Sequence, residues 1–186
     1  MSDQQASVSR THRTWVLSAV ETFEQRLVRF ALRLLGDEES ARDVVQHAFL
    51  QLCRQTPEKA KELGEGEVVS RWLFSVVRRR TIDLYRQNER QPTVNGELTT
   101  ESVSSDNGPA YALQQKELGE LMLELVDHLP HAQRESVLLW AEGWTAKEIA
   151  EITDRAPATV RVHLHKAFST LRGHAAVRKL QEMAES

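Results

Sequence analysis

The chain has 186 residues, 40% of them hydrophobic, a formal charge of −3 and one cysteine. That length allows one domain or two small ones, and the composition is that of a folded protein. It contains no run of about 18 apolar residues to span a membrane, no apolar core of a secretion signal in its first residues, MSDQQASVSRTHR, and no second thiol to close a disulfide. A cytoplasmic location is expected. Eight glycines and five prolines favour helix over sheet.

The first helix is predicted from Thr14 to Leu35, where Val20, Phe23, Leu27, Phe30, Ala31, Leu34 and Leu35 recur with helical period. Gly36 suits the left-handed residue that ends a helix, and Asp37 offers a cap for the next, with Glu38 and Glu39 in its first turn. That second helix runs to about Gln55. Its stripe is Ala41, Val44, Val45, Ala48, Phe49 and Leu52. Cys53 follows Phe49 at helical spacing and reads as a small core residue. Residues 56–68, TPEKAKELGEGEV, read as an acidic loop that has room for a helical turn. A third helix is predicted from Val69 to Asn88, with Val69, Trp72, Leu73, Val76, Val77 and Leu84 on its core side. Its later part is rich in arginine.

Composition breaks at residues 88–109, NERQPTVNGELTTESVSSDNGP, which hold few large apolar side chains and many turn formers. The segment reads as a flexible linker. About 20 such residues have an end-to-end distance of roughly 25 Å and a maximum reach of about 60–70 Å. The second domain opens with a helix over Ala112–His128, followed by one from Pro130 that ends before Gly143 and turns Val137, Leu138 and Ala141 inward. The overall expectation is an all-α chain: a helical domain over residues 1–88, a linker over 89–110 and a helix-turn-helix domain over 111–186.

Residues 143–167, GWTAKEIAEITDRAPATVRVHLHKA, carry the densest information. Thr145 and Glu148 form a T-x-x-E capping box, which starts a helix. The turn falls at residues 153–156, and Pro157 suits the first position of the next helix. Val160, Leu164, Ala167, Phe168 and Leu171 then form a buried stripe, opposite Arg161, His165 and Lys166. A second helix with this spacing enters a DNA major groove. Between Arg155 and Gln181 there is no Asp or Glu, while six Lys or Arg and three His are present. In a chain of net negative charge, cations gathered in one window point to one face that meets phosphates.

Other chemistry is poorly represented. His163 and His165 lie two apart, hence on nearly opposite sides of a helix, and the Cys/His clusters and H-E-x-x-H pattern of metal sites do not occur. Nucleophile motifs and glycine-rich phosphate loops do not occur either. The expectation is a protein that is not itself an enzyme and uses no metal or cofactor.

These residues, taken together, resemble the extracytoplasmic-function sigma factors of bacterial RNA polymerase. FALRLLGDEESARDVVQHAFLQL (residues 30–52) is similar to that family's polymerase-binding segment, with Asp43, Gln46 and Phe49 in its D-x-x-Q-x-x-F core. RWLFSVVRRRTIDLYRQ (residues 71–87) resembles the segment that reads and opens the −10 promoter element. LPHAQRESVLLWAEGWTAKEIAEITDRAPATVRVHLHKAFSTLR (residues 129–172) resembles the domain that reads the −35 element. The resemblance implies a factor that binds core polymerase and promoter DNA and directs initiation. It also implies an anti-sigma partner as a candidate regulator.

Arg42, Asp43 and Gln46 are the implied polymerase contacts. A carboxylate beside an amide on one helix face can accept and donate hydrogen bonds to a partner helix. For the −10 element the candidates are Arg78, Arg79, Asp83, Tyr85 and Arg86. Arg79 departs from the family's usual Asn, and its fork suits phosphate or guanine where Asn suits adenine. Asp83, four residues on, is placed to orient Arg79. Tyr85 is read either as a base-stacking ring or as packing, and Trp72 as core. The loop at residues 56–68 corresponds to the place where the family captures a flipped base. For the −35 element the candidates are Ala158, Arg161, Val162, His165 and Lys166. Arg161 is the candidate guanine reader, Val162 can touch a thymine methyl, and His165 and Lys166 suit phosphate or groove contacts. In the turn, Asp154 stands where glycine is common and Arg155 where an apolar residue is usual. Arg155 thus implies either a looser turn or an arm toward the DNA backbone.

A different class remains open at this point: a stand-alone helix-turn-helix regulator whose first domain senses or dimerises. Such a protein would bind a palindrome as a stable dimer, without polymerase. A helical adaptor that never meets DNA leaves the acid-free window 155–181 unexplained.

Overall fold

A computed structural model describes residues 2–90 and 124–173, with side chains from 12 to 87 and from 124 to 173. All elements among them are helical. The chain divides into two compact units, each considered by itself.

The N-terminal unit holds α1 (Ser2–Leu35), α2 (Glu38–Cys53), α3 (Pro57–Leu63) and α4 (Glu67–Arg90). α1 starts at Ser2, well before the expected Thr14, because residues 2–13 carry neither proline nor glycine to stop it. Gly36 ends it at φ +74, its N–H bonded to Leu32 O at 2.7 Å. Asp37 caps α2, accepting from the Ser40 N–H at 2.8 Å. Hydrogen bonds from Ser40 hold the Asp37 carboxyl below its ordinary range.

α1, α2 and α4 pack on one another around Phe23, Leu27, Phe30, Ala31, Ala41, Val44, Ala48, Leu52, Leu73, Phe74 and Val77, all buried. Ala31, Ala41 and Ala48 are fully enclosed, and so small a side chain lets the helix backbones approach. Phe30 and Phe74 meet edge-on, centroids 5.3 Å apart, and Arg26 lies over Phe74 at 5.8 Å. Edge-to-face rings add about 0.5–1.5 kcal/mol beyond their burial.

Three further expectations change in this unit. α4 is phased differently: its buried line is Val69, Ser70, Leu73, Phe74, Val77 and Thr81, whereas Trp72, Val76 and Leu84 are only half-buried. Phe74 takes the central place because its ring meets Phe30. Cys53 is exposed, since α2 ends there and Leu52 has taken the buried position. Residues 57–63 form the short helix α3, capped by the Thr56 hydroxyl, which accepts from the Lys59 N–H at 3.3 Å, and begun by Pro57.

The C-terminal part of the chain holds α5 (His131–Ala141), α6 (Ala146–Thr153) and α7 (Pro157–Gly173), preceded by the end of a helical segment at residues 124–127. The expected helix over 112–128 lies for the most part outside the described residues. α5 packs on α7. Its buried face is Glu135, Ser136, Val137 and Leu139, while Leu138 is half-buried and Ala141 exposed, so the inward face is rotated from the expected one. The cause is a buried carboxylate, which apolar periodicity cannot register. A Schellman end closes α5: Trp144 N–H bonds to Leu139 O at 3.2 Å and Gly143 N–H to Trp140 O at 2.9 Å, with Gly143 at φ +96.

Candidate nucleic-acid interface

The helix-turn-helix is built from local signals. The Thr145 hydroxyl and N–H both donate to Glu148 Oε2, at 2.6 and 2.9 Å, and the Glu148 N–H returns to Thr145 Oγ1 at 3.4 Å. This reciprocal box satisfies donors that the first turn of α6 would otherwise leave open. α6 ends at Thr153, three residues turn the chain, and α7 starts at Pro157.

α7 separates two faces. Val160, Leu164, Ala167 and Leu171 are buried, and Phe168, half-buried, meets the Trp140 ring edge-on at 5.0 Å. Ala158, Arg161, Val162, His165 and Lys166 are all exposed, Val162 at 49%. An exposed β-branched side chain between Arg161 and His165 has no use in the core, and a helix that offers it beside cations is suited to a groove with base edges and phosphates. The five candidates therefore lie on one outward surface.

The turn differs from expectation at Arg155. Its guanidinium donates to the carboxylate of Glu135, which is completely buried on α5, so this side chain ties the turn to the scaffold helix. Sequence reading missed Glu135, because a buried acid inside an apolar helix reads as solvated surface. His163 lies near the same charges. Burial, then the positive charge of Arg155, lower its pKa from the usual 6.5, partly opposed by Glu135. Asp154 adopts φ +52, the left-handed conformation that glycine takes without strain.

In the N-terminal unit, Arg79, Asp83 and Arg86 share an exposed face of α4 at i, i+4 and i+7, with Tyr85 exposed at 47% and Arg78 half-buried beside them. Arg79 and Asp83 line a groove of 360 Å³ with Trp72, Val76 and Arg80 of α4 and His47 and Gln51 of α2. Among the described residues no ion pair joins Asp83 to Arg79, so the expected orienting contact is not made. His47, Gln51 and Arg80 were not singled out from the sequence. The cue for Arg80 was its place in the run Arg78–Arg80. For His47 and Gln51 there was none, because the groove exists only once α2 and α4 are side by side. Trp72 is a wall of this groove, half-buried, and not a core residue.

On α2, Arg42, Asp43 and Gln46 are exposed, opposite the buried stripe. Arg42 is held by Glu38 through Nη2 at 2.6 Å and Nε at 2.9 Å, an exposed i,i+4 pair. Such pairs contribute about 0.3–0.5 kcal/mol, little enough for a partner to redirect Arg42. Among the described residues no cluster of His, Cys, Asp or Glu could hold a metal, and no helix is long and apolar enough to cross a membrane.

Comparison with known proteins gives matches in the same order. Residues 19–91 match Sigma-70 region 2, and residues 119–171 match Sigma-70, region 4. The chain is 34% identical over 152 residues to the ECF RNA polymerase sigma factor SigL of Mycobacterium tuberculosis, covering 78% of this chain and 80% of SigL. It is 23% identical over 164 residues to the RNA polymerase sigma factor SigV of Bacillus subtilis, covering 88% and 92%. The solved sigma factor RpoE of Bartonella quintana, in complex with the anti-sigma factor NepR, shares the fold at TM-score 0.61 and 20% identity, covering 83% of this chain and 92% of RpoE. CnrH, in complex with the cytosolic domain of CnrY, does so at 0.56 and 19%, covering 89% and 90%.

Proposed function

This chain belongs to the ECF sigma factors of bacterial RNA polymerase, and we propose how its two units divide the work of promoter-specific initiation. The N-terminal unit, taken as residues 1–88, docks on core polymerase through Arg42, Asp43 and Gln46 of α2. Through Arg78, Arg79, Tyr85 and Arg86 of α4 it engages the −10 element as the strands part, with Asp83 shaping the groove beside Arg79. The segment at 56–68 receives a base displaced from the duplex. The C-terminal unit, residues 111–186, lays α7 in the major groove of the −35 element. There Arg161 reads guanine, Val162 meets a thymine methyl, and His165 and Lys166 hold phosphates, with Ala158 leaving room for close approach. Residues 89–110 tether the two. The polymerase supplies the chemistry, in the cytoplasm, and this chain contributes recognition without cofactor or metal.

The observation that carries the reading is the outward face of α7 behind a capped helix and a fixed turn, in a chain that matches both sigma regions in order. The stand-alone regulator is not favoured, because its first domain would have no reason to match region 2. One structural relative is a complex with an anti-sigma factor, which supports an anti-sigma partner for this chain as well. Size-exclusion chromatography with core polymerase, followed by run-off transcription on fragmented genomic DNA, tests the whole. Co-elution and discrete start sites are expected. A symmetric dimer that ignores polymerase and footprints a palindrome would overturn the reading.

A further inference from the structure

α3 is a seven-residue helix that buries a single side chain, Leu63, while Pro57, Glu58, Lys59, Lys61 and Glu62 are exposed. A helix that short does not hold itself together in water, and one buried leucine fixes neither its direction nor its height above the core. Its position needs other anchors, and α1 supplies two from one face. The indole N–H of Trp15 donates to the carbonyl of Gly64, the residue that ends α3, at 2.6 Å. The Nε2 of His12, three residues earlier and so on the same face, reaches the carbonyl of Cys53, the last residue of α2, at 3.2 Å. The two rings lie against each other, centroids 5.5 Å apart. One turn of α1 thereby holds the carbonyls at both ends of residues 54–63. Beyond Gly64 the backbone passes through a second left-handed glycine, Gly66, whose carbonyl accepts from the Ser70 N–H at 3.0 Å as α4 begins.

We infer that Trp15, with His12, is a positioning residue for promoter opening: it sets the frame of the 56–68 segment in which the displaced base is received. The inference rests on the reading of that segment as the base-receiving loop. His12 and Trp15 precede residue 19, where the match to Sigma-70 region 2 begins. Trp15 touches neither polymerase nor DNA in this role. It acts through the Gly64 carbonyl.

The test uses the full chain with core polymerase on a promoter located by the wild-type protein. Trp15→Phe keeps an aromatic ring, though a smaller one, and removes the donor. Loss of one hydrogen bond that orders the loop corresponds to about a three- to tenfold fall in initiation from duplex template. The same variant should initiate at the wild-type rate from a template whose −10 strands are mismatched and already open, should co-elute with core polymerase as before, and should discriminate less between cognate and substituted −10 bases. Trp15→Ala, which also removes the ring, should follow the same pattern more strongly. Wild-type initiation by Trp15→Phe from duplex would overturn the inference. So would an equal loss on duplex and open templates, which is the mark of a structural role alone. If the wild-type chain directs no initiation at all, the proposed function fails first, and the two failures are thus distinguishable.

Discussion

Arg155 reaches back twenty positions in sequence to the carboxylate of Glu135, joining the turn of the helix-turn-helix to the helix that supports it. Glu135 is fully enclosed, whereas the Arg155 side chain keeps 24% of its surface. A carboxylate removed from water is costly unless its charge is met. The arginine meets that charge and so ties the turn to the core of α5.

Removal of one partner should consequently be severe. Arg155→Ala leaves the Glu135 carboxylate enclosed without that cation and should destabilise the C-terminal unit by about 3 kcal/mol. Amide hydrogen exchange across α5 and α7 is the measurement, and protection there should fall while that of α1 and α2 holds. A variant as protected as wild type would show that the pair contributes little.

His163 should make this part of the chain sensitive to acid. Its folded pKa is lowered from 6.5, by burial first and by Arg155 second, so the unfolded chain takes up the proton more readily than the folded one. The stability linked to His163 is then fully present above about 6.5 and is lost as pH falls through the lower folded value. Its Nδ1 is shielded from solvent and has no hydrogen-bond partner among the described residues, which fits a ring held neutral. An NMR titration of the imidazole C–H should give a pKa below 6.5, and Arg155→Gln should raise it. An unperturbed titration in the wild-type protein would contradict this account.

Asp154 sits at φ +52, where a side chain with a Cβ is strained and aspartate is among the less costly choices. Asp154→Gly should be neutral or stabilising by up to about 1 kcal/mol, whereas Asp154→Val should cost about 1–2 kcal/mol or more. Urea melts of both variants against wild type decide it, and equal stability of the valine variant would show that the turn relaxes.

On α7, Arg161 and Lys166 should respond in different ways. Arg161→Ala should lose about 1–3 kcal/mol at one base pair and relax preference there. Lys166→Ala should weaken all sequences alike and reduce the slope of log affinity against log salt by about one. Binding of the polymerase complex to −35 variants over a range of salt separates the two. Unchanged preference in Arg161→Ala removes it as a base reader.

Much of this molecule is written locally. The Thr145–Glu148 box, the Asp37 cap, the left-handed Gly36 and Pro157 at the head of α7 each involve groups a few residues apart, so the sequence alone placed the helix-turn-helix and the buried stripe of α2. The outward face of α7 followed from the same 3.6-residue period. What only the tertiary structure decided lies between distant positions: the phase of α4, turned so that Phe74 meets Phe30; the exposure of Cys53; the Glu135–Arg155 tie; and the hold of Trp15 on Gly64. Helical periodicity says that a side chain is apolar and on which face of its own helix it falls. It carries no information on which neighbour fills that face, nor that a buried carboxylate has found its cation, because those choices are made when separate helices compete for the same space.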